Sequence, residues 1–295
     1  MSELVNRQTR LIVQGLTGDA ARHHAELMRA YGTEIVAGVR PGAGGQDVDG
    51  VPVFDDVAGA VSATGANASV LFVPAGAVRA AAVEALDAGL KLLVMVPEHV
   101  PVHDTLAIVE HARANDARVV GPNTPGLIRP RAGCKMGFLP ERYFIDGPVG
   151  VTSRSGTLTY EIVRRLTAAG LGQSTCVGVG GDAVVCTTFA DMARYFEQDP
   201  DTRVIVMVGE IGGSLEEDAA QLVIDGEVTK PVVAFLAGRN APPDKRMGHA
   251  GAIIAAGRGT IESKLAAFAE AGVQVADQLS DVVGLAREAL GADPR

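Results

Sequence analysis

The residues best placed to do chemistry fall in four short segments. His249 stands in Arg246-Met-Gly-His249-Ala-Gly-Ala-Ile, among small residues in a long loop after an apolar run. A neutral imidazole nitrogen in such surroundings is a nucleophile toward a phosphoryl group. Glu210, in Val208-Gly-Glu210-Ile-Gly-Gly213, ends another apolar run. A carboxylate there can accept a hydrogen bond from one ring nitrogen of a histidine and stabilise positive charge on the ring. Ser155 and Gly156, in Val151-Thr-Ser-Arg-Ser-Gly-Thr157, stand where a strand runs into a helix. Free N–H groups and the positive end of the helix dipole favour an anion at that point. Gly15-Leu-Thr17-Gly18-Asp19 offers the same chemistry at the first strand-to-helix turn, with a hydroxyl added. Each segment also has a plainer reading: a structural histidine, an acid at a helix start, and N-caps supplied by Ser153 or Ser155 and by Asp19.

The elements that must position these residues alternate along the chain. Apolar runs at 10–14, 34–39, 68–73, 91–96 and 118–120 are interleaved with helical patterns at 19–31, 78–88 and 105–115. The apolar runs scarcely alternate with polar residues, which is the mark of parallel strands covered on both faces. Periodicity lapses over 130–148, read as a connector. A second series follows, with strands at 149–152, 175–179, 203–208, 231–236 and 273–276 and helices at 157–169, 188–196, 214–225 and 261–271. The expected fold class is α/β, with a Rossmann-like domain over 1–129 and a flavodoxin-like parallel domain over 149–295. Ligands of open parallel sheets sit beyond the carboxyl ends of the strands, so the Gly-rich turns after strands are the segments that matter.

Composition sets limits. The 295 residues are 47% hydrophobic but only 4% aromatic, with no Trp, so the cores must be built from Val, Ile, Leu and Ala. A net charge of −9 argues against a general nucleic-acid partner. Three cysteines without a CxxC fit neither a disulfide framework nor a zinc site. The first residues lack the apolar core of a signal peptide, and no apolar run is long enough to span a membrane, so a cytoplasmic location is expected. No GxxxxGK[ST] occurs, nor a GxGxxG followed by a ribose-binding acid, which speaks against P-loop and NAD-linked sites.

Taken in order, the strings QGLTG, YGTEIVAGVRPGAGG, GPNTPG, SRSGTLTYE, QSTCVGVGGD, VMVGEIGGSLEE and KRMGHAGAII resemble the α subunit of succinate–CoA ligase (succinyl-CoA synthetase) from about Thr9 to about Leu279. The resemblance implies an acid–thiol ligase that binds CoA and needs a partner. An ATP-grasp β subunit, in an αβ or α2β2 assembly, would bind ATP or GTP with Mg2+ and make an acyl phosphate from a small carboxylic acid. The α-subunit histidine would take the phosphoryl group while CoA sulfur attacks the acyl carbon, and would exchange phosphate with the nucleotide on β. By position the resemblance makes His249 the phosphorylated residue, Glu210 its hydrogen-bond partner, and Ser155 and Gly156 the phosphate-binding helix start. It maps CoA to Thr17, Gly18, Asp19 and Ala20 and to Val96, Pro97 and Glu98, and places Tyr160 near the substrate. The acid expected is succinate; the alternatives are a malate–CoA or other carboxylate–CoA ligase, or a non-catalytic CoA-binding regulator.

Four departures mark a divergent paralogue. The family loop usually reads PGKGG, with Lys near the CoA phosphates; here Ala43 stands there, and Arg40 is the substitute cation. Thr124 replaces the Cys of GPNCPG. Val96-Pro97-Glu98-His99 stands where the common form reads like TEG. After GGD the chain continues Ala183-Val-Val-Cys186-Thr187-Thr188 instead of Pro and Gly before a hydroxyl residue.

Overall fold

The computed structural model describes residues 4–238 and 259–291. The chain is α/β throughout and divides into two compact units. The first comprises residues 4–141 together with 184–186. Its elements are β1 (Arg10–Gln14), α1 (Asp19–Tyr31), β2 (Glu34–Val39), β3 (Asp47–Val48), β4 (Val51–Phe54), α2 (Val57–Thr64), β5 (Ala68–Leu71), α3 (Val78–Asp87), β6 (Leu92–Met95), α4 (Val102–Ala114), β7 (Arg118–Val120), β8 (Gly126–Arg129) and β9 (Cys134–Gly137). The first seven strands form one sheet in the order β3-β4-β2-β1-β5-β6-β7, parallel except for the β3–β4 pair.

The apolar runs fold as they do because both sheet faces are covered. Leu11, Ile12 and Val13 are fully buried, and all four residues of β5 and of β6 are buried. Aliphatic side chains and alanines from α2, α3 and α4 complete the core on one side. On α1 the buried positions Ala21, Ala25 and Met28 recur at helical spacing. Gly38 in β2 lets Leu16 close in: a Cβ at Gly38 would lie 2.5 Å from the Leu16 Cδ2.

Residues 130–148, expected as a connector, hold ordered structure. Strand β9 pairs antiparallel with β8, from Gly126 opposite Gly137 to Arg129 opposite Cys134. The hairpin packs against α1, where the Thr33 hydroxyl donates to the Lys135 carbonyl at 2.9 Å. Short strands bounded by glycines carry too little periodicity to be seen as a pair.

The second unit comprises the described residues of 142–183 and 187–291. It contains β10 (Asp146–Ser153), α5 (Gly156–Ala168), β11 (Gln173–Gly178), α6 (Phe189–Gln198), β12 (Val204–Glu210), α7 (Leu215–Ile224), β13 (Val232–Ala237), α8 (Ile261–Glu270), β14 (Gln274–Ala276) and α9 (Asp281–Gly291). Within this unit the strands run parallel in the order β14-β13-β12-β10-β11. Every residue of β12 is buried. Helix α9 was not expected from the sequence; it buries Val282 and Ala286 and packs on β12 and β13. No helix among the described residues is long and apolar enough to cross a membrane.

Candidate functional site

In the first unit the chain moves one way from β1 to β2 and the other way to β5, so the switch point of the sheet lies between β1 and β5. Such a switch opens a crevice at the carboxyl ends of the strands. Gly15 follows β1 at this edge, with φ +84°, and an added Cβ would sit 2.5 Å from the Phe72 carbonyl oxygen beyond β5. Only glycine allows that close approach with that backbone. Thr17 is half-buried, while Gly18, Asp19 and Ala20 are exposed.

Asp19 does not cap α1. Gly18 is the N-cap, with no side-chain capping bond, and Asp19 is the first helical residue. The first turn of a 13-residue helix therefore presents its N–H groups without an internal side-chain acceptor. Over β2, next to β1, the Arg40 guanidinium donates to the Thr17 hydroxyl at 2.8 Å. Ala43 is 4% exposed, and its N–H donates to the Arg40 carbonyl at 3.1 Å. Val96 and Pro97 are half-buried beyond β6, and Glu98 is exposed. The Pro97 carbonyl accepts from the Asn123 N–H at 2.8 Å, joining this turn to the GPNTPG segment. His99 follows with φ +63°. Thr124 is buried, and its hydroxyl accepts from the Gly126 N–H at 2.9 Å. A groove of 580 Å³ lies beside the Arg40 loop, but its lining includes Asp47, Asp55 and Asp56, which would repel a phosphate.

In the second unit the switch point lies between β10 and β12. Ser155 and Gly156 follow β10; Glu210 ends β12. The two strand ends are tied by the Arg154 N–H, which donates to the Val208 carbonyl at 3.1 Å. Ser155 is the N-cap of α5, and its hydroxyl accepts from the Leu158 N–H at 3.3 Å. Glu210 is 7% exposed. Tyr160 is half-buried one turn into α5; burial and, less strongly, the neighbouring Cys176 push its phenol up to about 12. His249 lies outside the described residues, as does Arg246. The described flanks of that segment both meet the turn after Glu210. Gly238 approaches Ile211, and the Gly259 carbonyl accepts from the Gly212 N–H at 2.8 Å.

Three residues in this region carried no assignment from the sequence: Arg154, Glu216 and Lys264. All are buried. The Lys264 ammonium donates to Glu216 Oε2 at 2.5 Å, to Glu217 Oε2 at 2.8 Å and to the Gly213 carbonyl at 2.9 Å. Arg154 Nη1 donates to the Gly212 carbonyl at 2.8 Å. Arg154 and Glu216 lie inside quoted strings, SRSGTLTYE and VMVGEIGGSLEE, and Lys264 lies in none. The fourth departure also has a place: Cys186 packs against the core of the first unit, and its N–H donates to the Gly121 carbonyl at 2.8 Å. Thr188 begins α6 with a capping box to Asp191.

Residues 6–99 match the family described as CoA binding domain, and residues 152–274 match the family described as CoA-ligase. The protein named succinate–CoA ligase (ADP-forming) subunit alpha 1 of Archaeoglobus fulgidus is 50% identical over 287 residues, covering 97% of this chain and 98% of its own length. The corresponding alpha subunit of Aquifex aeolicus is 50% identical over 277 residues, covering 93% of this chain and 90% of its own. Among solved structures, ATP citrate lyase from Methanothrix soehngenii in complex with citrate and coenzyme A superposes with a TM-score of 0.87 at 24% identity. That match covers 98% of this chain and 50% of the lyase chain, and it speaks for the fold alone.

Proposed function

This chain belongs to the family of succinate–CoA ligase α subunits, and on that premise we propose that it is the CoA-binding, phosphoryl-carrying subunit of a nucleoside-triphosphate-dependent acid–CoA ligase. The acid is succinate or a related dicarboxylate. The nucleotide and Mg2+ are held by an ATP-grasp β subunit, since this chain carries no phosphate-binding P-loop. His249 carries the phosphoryl group. In the direction of acyl-CoA synthesis its ring nitrogen attacks the γ-phosphorus and the nucleoside diphosphate leaves. The acid carboxylate then takes the phosphoryl group from His249, which gives an acyl phosphate and restores the ring; this order differs from the one the resemblance led us to expect, because a histidine that took the phosphoryl group back as CoA attacks would return it to the diphosphate and leave no nucleotide spent. CoA sulfur attacks the acyl carbon, the thiol proton is lost, and inorganic phosphate departs.

The observation that carries this reading is the placement of a buried carboxylate, Glu210, and a helix start, Ser155–Gly156, at the ends of two neighbouring parallel strands that flank one switch point, with both flanks of the His249 segment meeting the turn after Glu210. Glu210 accepts the N–H of the ring nitrogen that does not react and stabilises the charged ring. The positive end of α5 at Ser155–Gly156 holds the phosphoryl oxygens, although the Ser155 N–H itself donates to the Ser153 hydroxyl at 3.1 Å. Tyr160, on the same helix, stays a neutral hydrogen-bond donor toward the substrate.

The CoA phosphates fit the first unit's switch point. The uncapped start of α1 at Gly18, Asp19 and Ala20, the Thr17 hydroxyl and the Arg40 guanidinium supply donors and positive charge within one turn of each other. Val96, Pro97 and Glu98 border the same edge of the sheet. The deciding experiment is the intact mass of this chain after mixing with its β subunit, Mg2+ and ATP. An acid-labile phosphate present on the wild type and absent from His249→Asn is expected. A partner that is itself active and yet leaves the wild type unmodified would show that the phosphoryl step has been lost.

A further inference from the structure

We infer that Arg154 is a positioning residue for the phosphoryl-transfer step, holding the Glu210 carboxylate in its orientation, and that Lys264, acting through Glu216, keeps Arg154 available for this. The inference rests on the proposed function, which gives Glu210 its place in that step.

Arg154 is 3% exposed and lies between two buried carboxylates. Its Nε stands 3.4 Å from Glu210 Oε1, and its Nη1 stands 3.5 Å from Glu216 Oε1. The same Glu216 oxygen accepts the Glu210 backbone N–H at 3.0 Å. Gly209 makes room for this, because a Cβ there would lie 2.6 Å from the Glu216 side chain. One guanidinium is thus shared by two acids that the backbone holds together. An unpaired buried carboxylate would draw it wholly to itself. Lys264 removes that pull from Glu216: both side chains are fully buried and meet at 2.5 Å. Among the described residues, Arg154 from the β10–α5 junction forms an ion pair with Glu210, Glu216 from α7 shares that guanidinium, and Lys264 from α8 pairs with Glu216 and Glu217; β13 contributes no ionisable residue.

Two features separate this arrangement from a simple stabilising cluster. Buried ion pairs are a poor way to stabilise a fold, because desolvation offsets most of the attraction. Moreover, the buried Arg154 Nε has no hydrogen-bond partner among the described residues, although Glu210 lies at ion-pair distance. A donor left over beside Glu210 suits a carboxylate that must exchange hydrogen bonds during turnover.

The test is the rate of phosphate incorporation into this chain from Mg·ATP, in complex with its β subunit, over a range of Mg·ATP concentrations. Arg154→Met should lower the rate at saturation by about ten- to a hundred-fold and leave the half-saturating Mg·ATP concentration unchanged, because Glu210 loses its orientation while the nucleotide is held by the partner. Arg154→Lys, which keeps the charge, should recover part of the rate. Lys264→Met should lower the rate in the same way, and adding Glu216→Gln, which keeps the acceptor for the Glu210 N–H but removes the acid that competes for Arg154, should restore it. A wild-type rate at saturation in Arg154→Met overturns the inference. Should Arg154→Met fail to fold or to join its partner, Glu216→Gln in the Lys264→Met background decides: a restored rate supports the inference, and an unrestored one sinks it. No incorporation into the wild type would bring down the proposed function, and this inference with it.

Discussion

The Arg40 guanidinium reaches 2.8 Å to the Thr17 hydroxyl, tying the loop beyond β2 to the turn beyond β1. The two residues are 23 apart in sequence and meet because β1 and β2 are parallel neighbours. The contact sets a cation at the open start of α1. Three residues on, Ala43 is buried, so the position that carries Lys in the related loop is closed to solvent. On this rim the positive charge is carried by Arg40.

Arg40→Ala should therefore weaken CoA binding by about 1.5–3 kcal/mol, roughly the worth of a hydrogen bond to a charged group, which is a loss of ten-fold or more. Calorimetric titration with CoA measures it directly. Ala43→Lys should not tighten binding, since the new side chain must first leave a buried position, and it should lower the melting temperature. An unchanged affinity in Arg40→Ala would assign CoA recognition to other groups.

Gly15→Ala tests the turn itself. The substitution places a methyl 2.5 Å from the Phe72 carbonyl oxygen on a backbone with φ +84°. A loss of about 1–3 kcal/mol in denaturant unfolding is expected from the strained backbone alone. Weaker CoA binding should accompany it, because the turn cannot hold Thr17 and Gly18 in place.

Lys264→Met should destabilise the chain by about 3–5 kcal/mol, the cost of breaking a buried pair and leaving Glu216 only the guanidinium it shares with Glu210. In the double variant Glu216→Gln, Lys264→Met the carboxylate that Lys264 met is gone while the acceptor for the Glu210 N–H remains, so more than half of the loss should return. Thermal melts of the single and double variants give the comparison. Equal melting temperatures for the two would show that Glu216 is not the residue Lys264 serves.

Stability should fall on the alkaline side. Burial raises the Cys134 thiol to about 11 and the Cys186 thiol to about 12, and it raises the Tyr160 phenol to about 12. Each group is neutral when protonated and has a higher pKa folded than unfolded. The stabilisation it lends is therefore complete below its unfolded pKa and is lost as pH rises through the folded value. Unfolding followed at increasing pH above neutrality should show a loss that begins near the ordinary thiol pKa. A free-energy curve flat through pH 11 would contradict the burial of these groups.

The sequence by itself determined the class of fold and the turns that matter. Unbroken apolar runs punctuated by glycine specify parallel strands and the ends where a ligand can sit, and that information is local. Glu210 at a strand end and Ser155 at a helix start were legible for the same reason. Only the tertiary structure decided which polar groups lose water. Arg154 and Glu216 are 62 residues apart and Glu216 and Lys264 are 48 apart, and no spacing rule joins them. An acid in the first turn of α7 reads as a solvated cap until packing buries it beside a lysine from α8. The β8–β9 hairpin, the cap at Gly18 in place of Asp19, and the burial of Ala43 were settled the same way, by contacts between elements whose local patterns do not register one another.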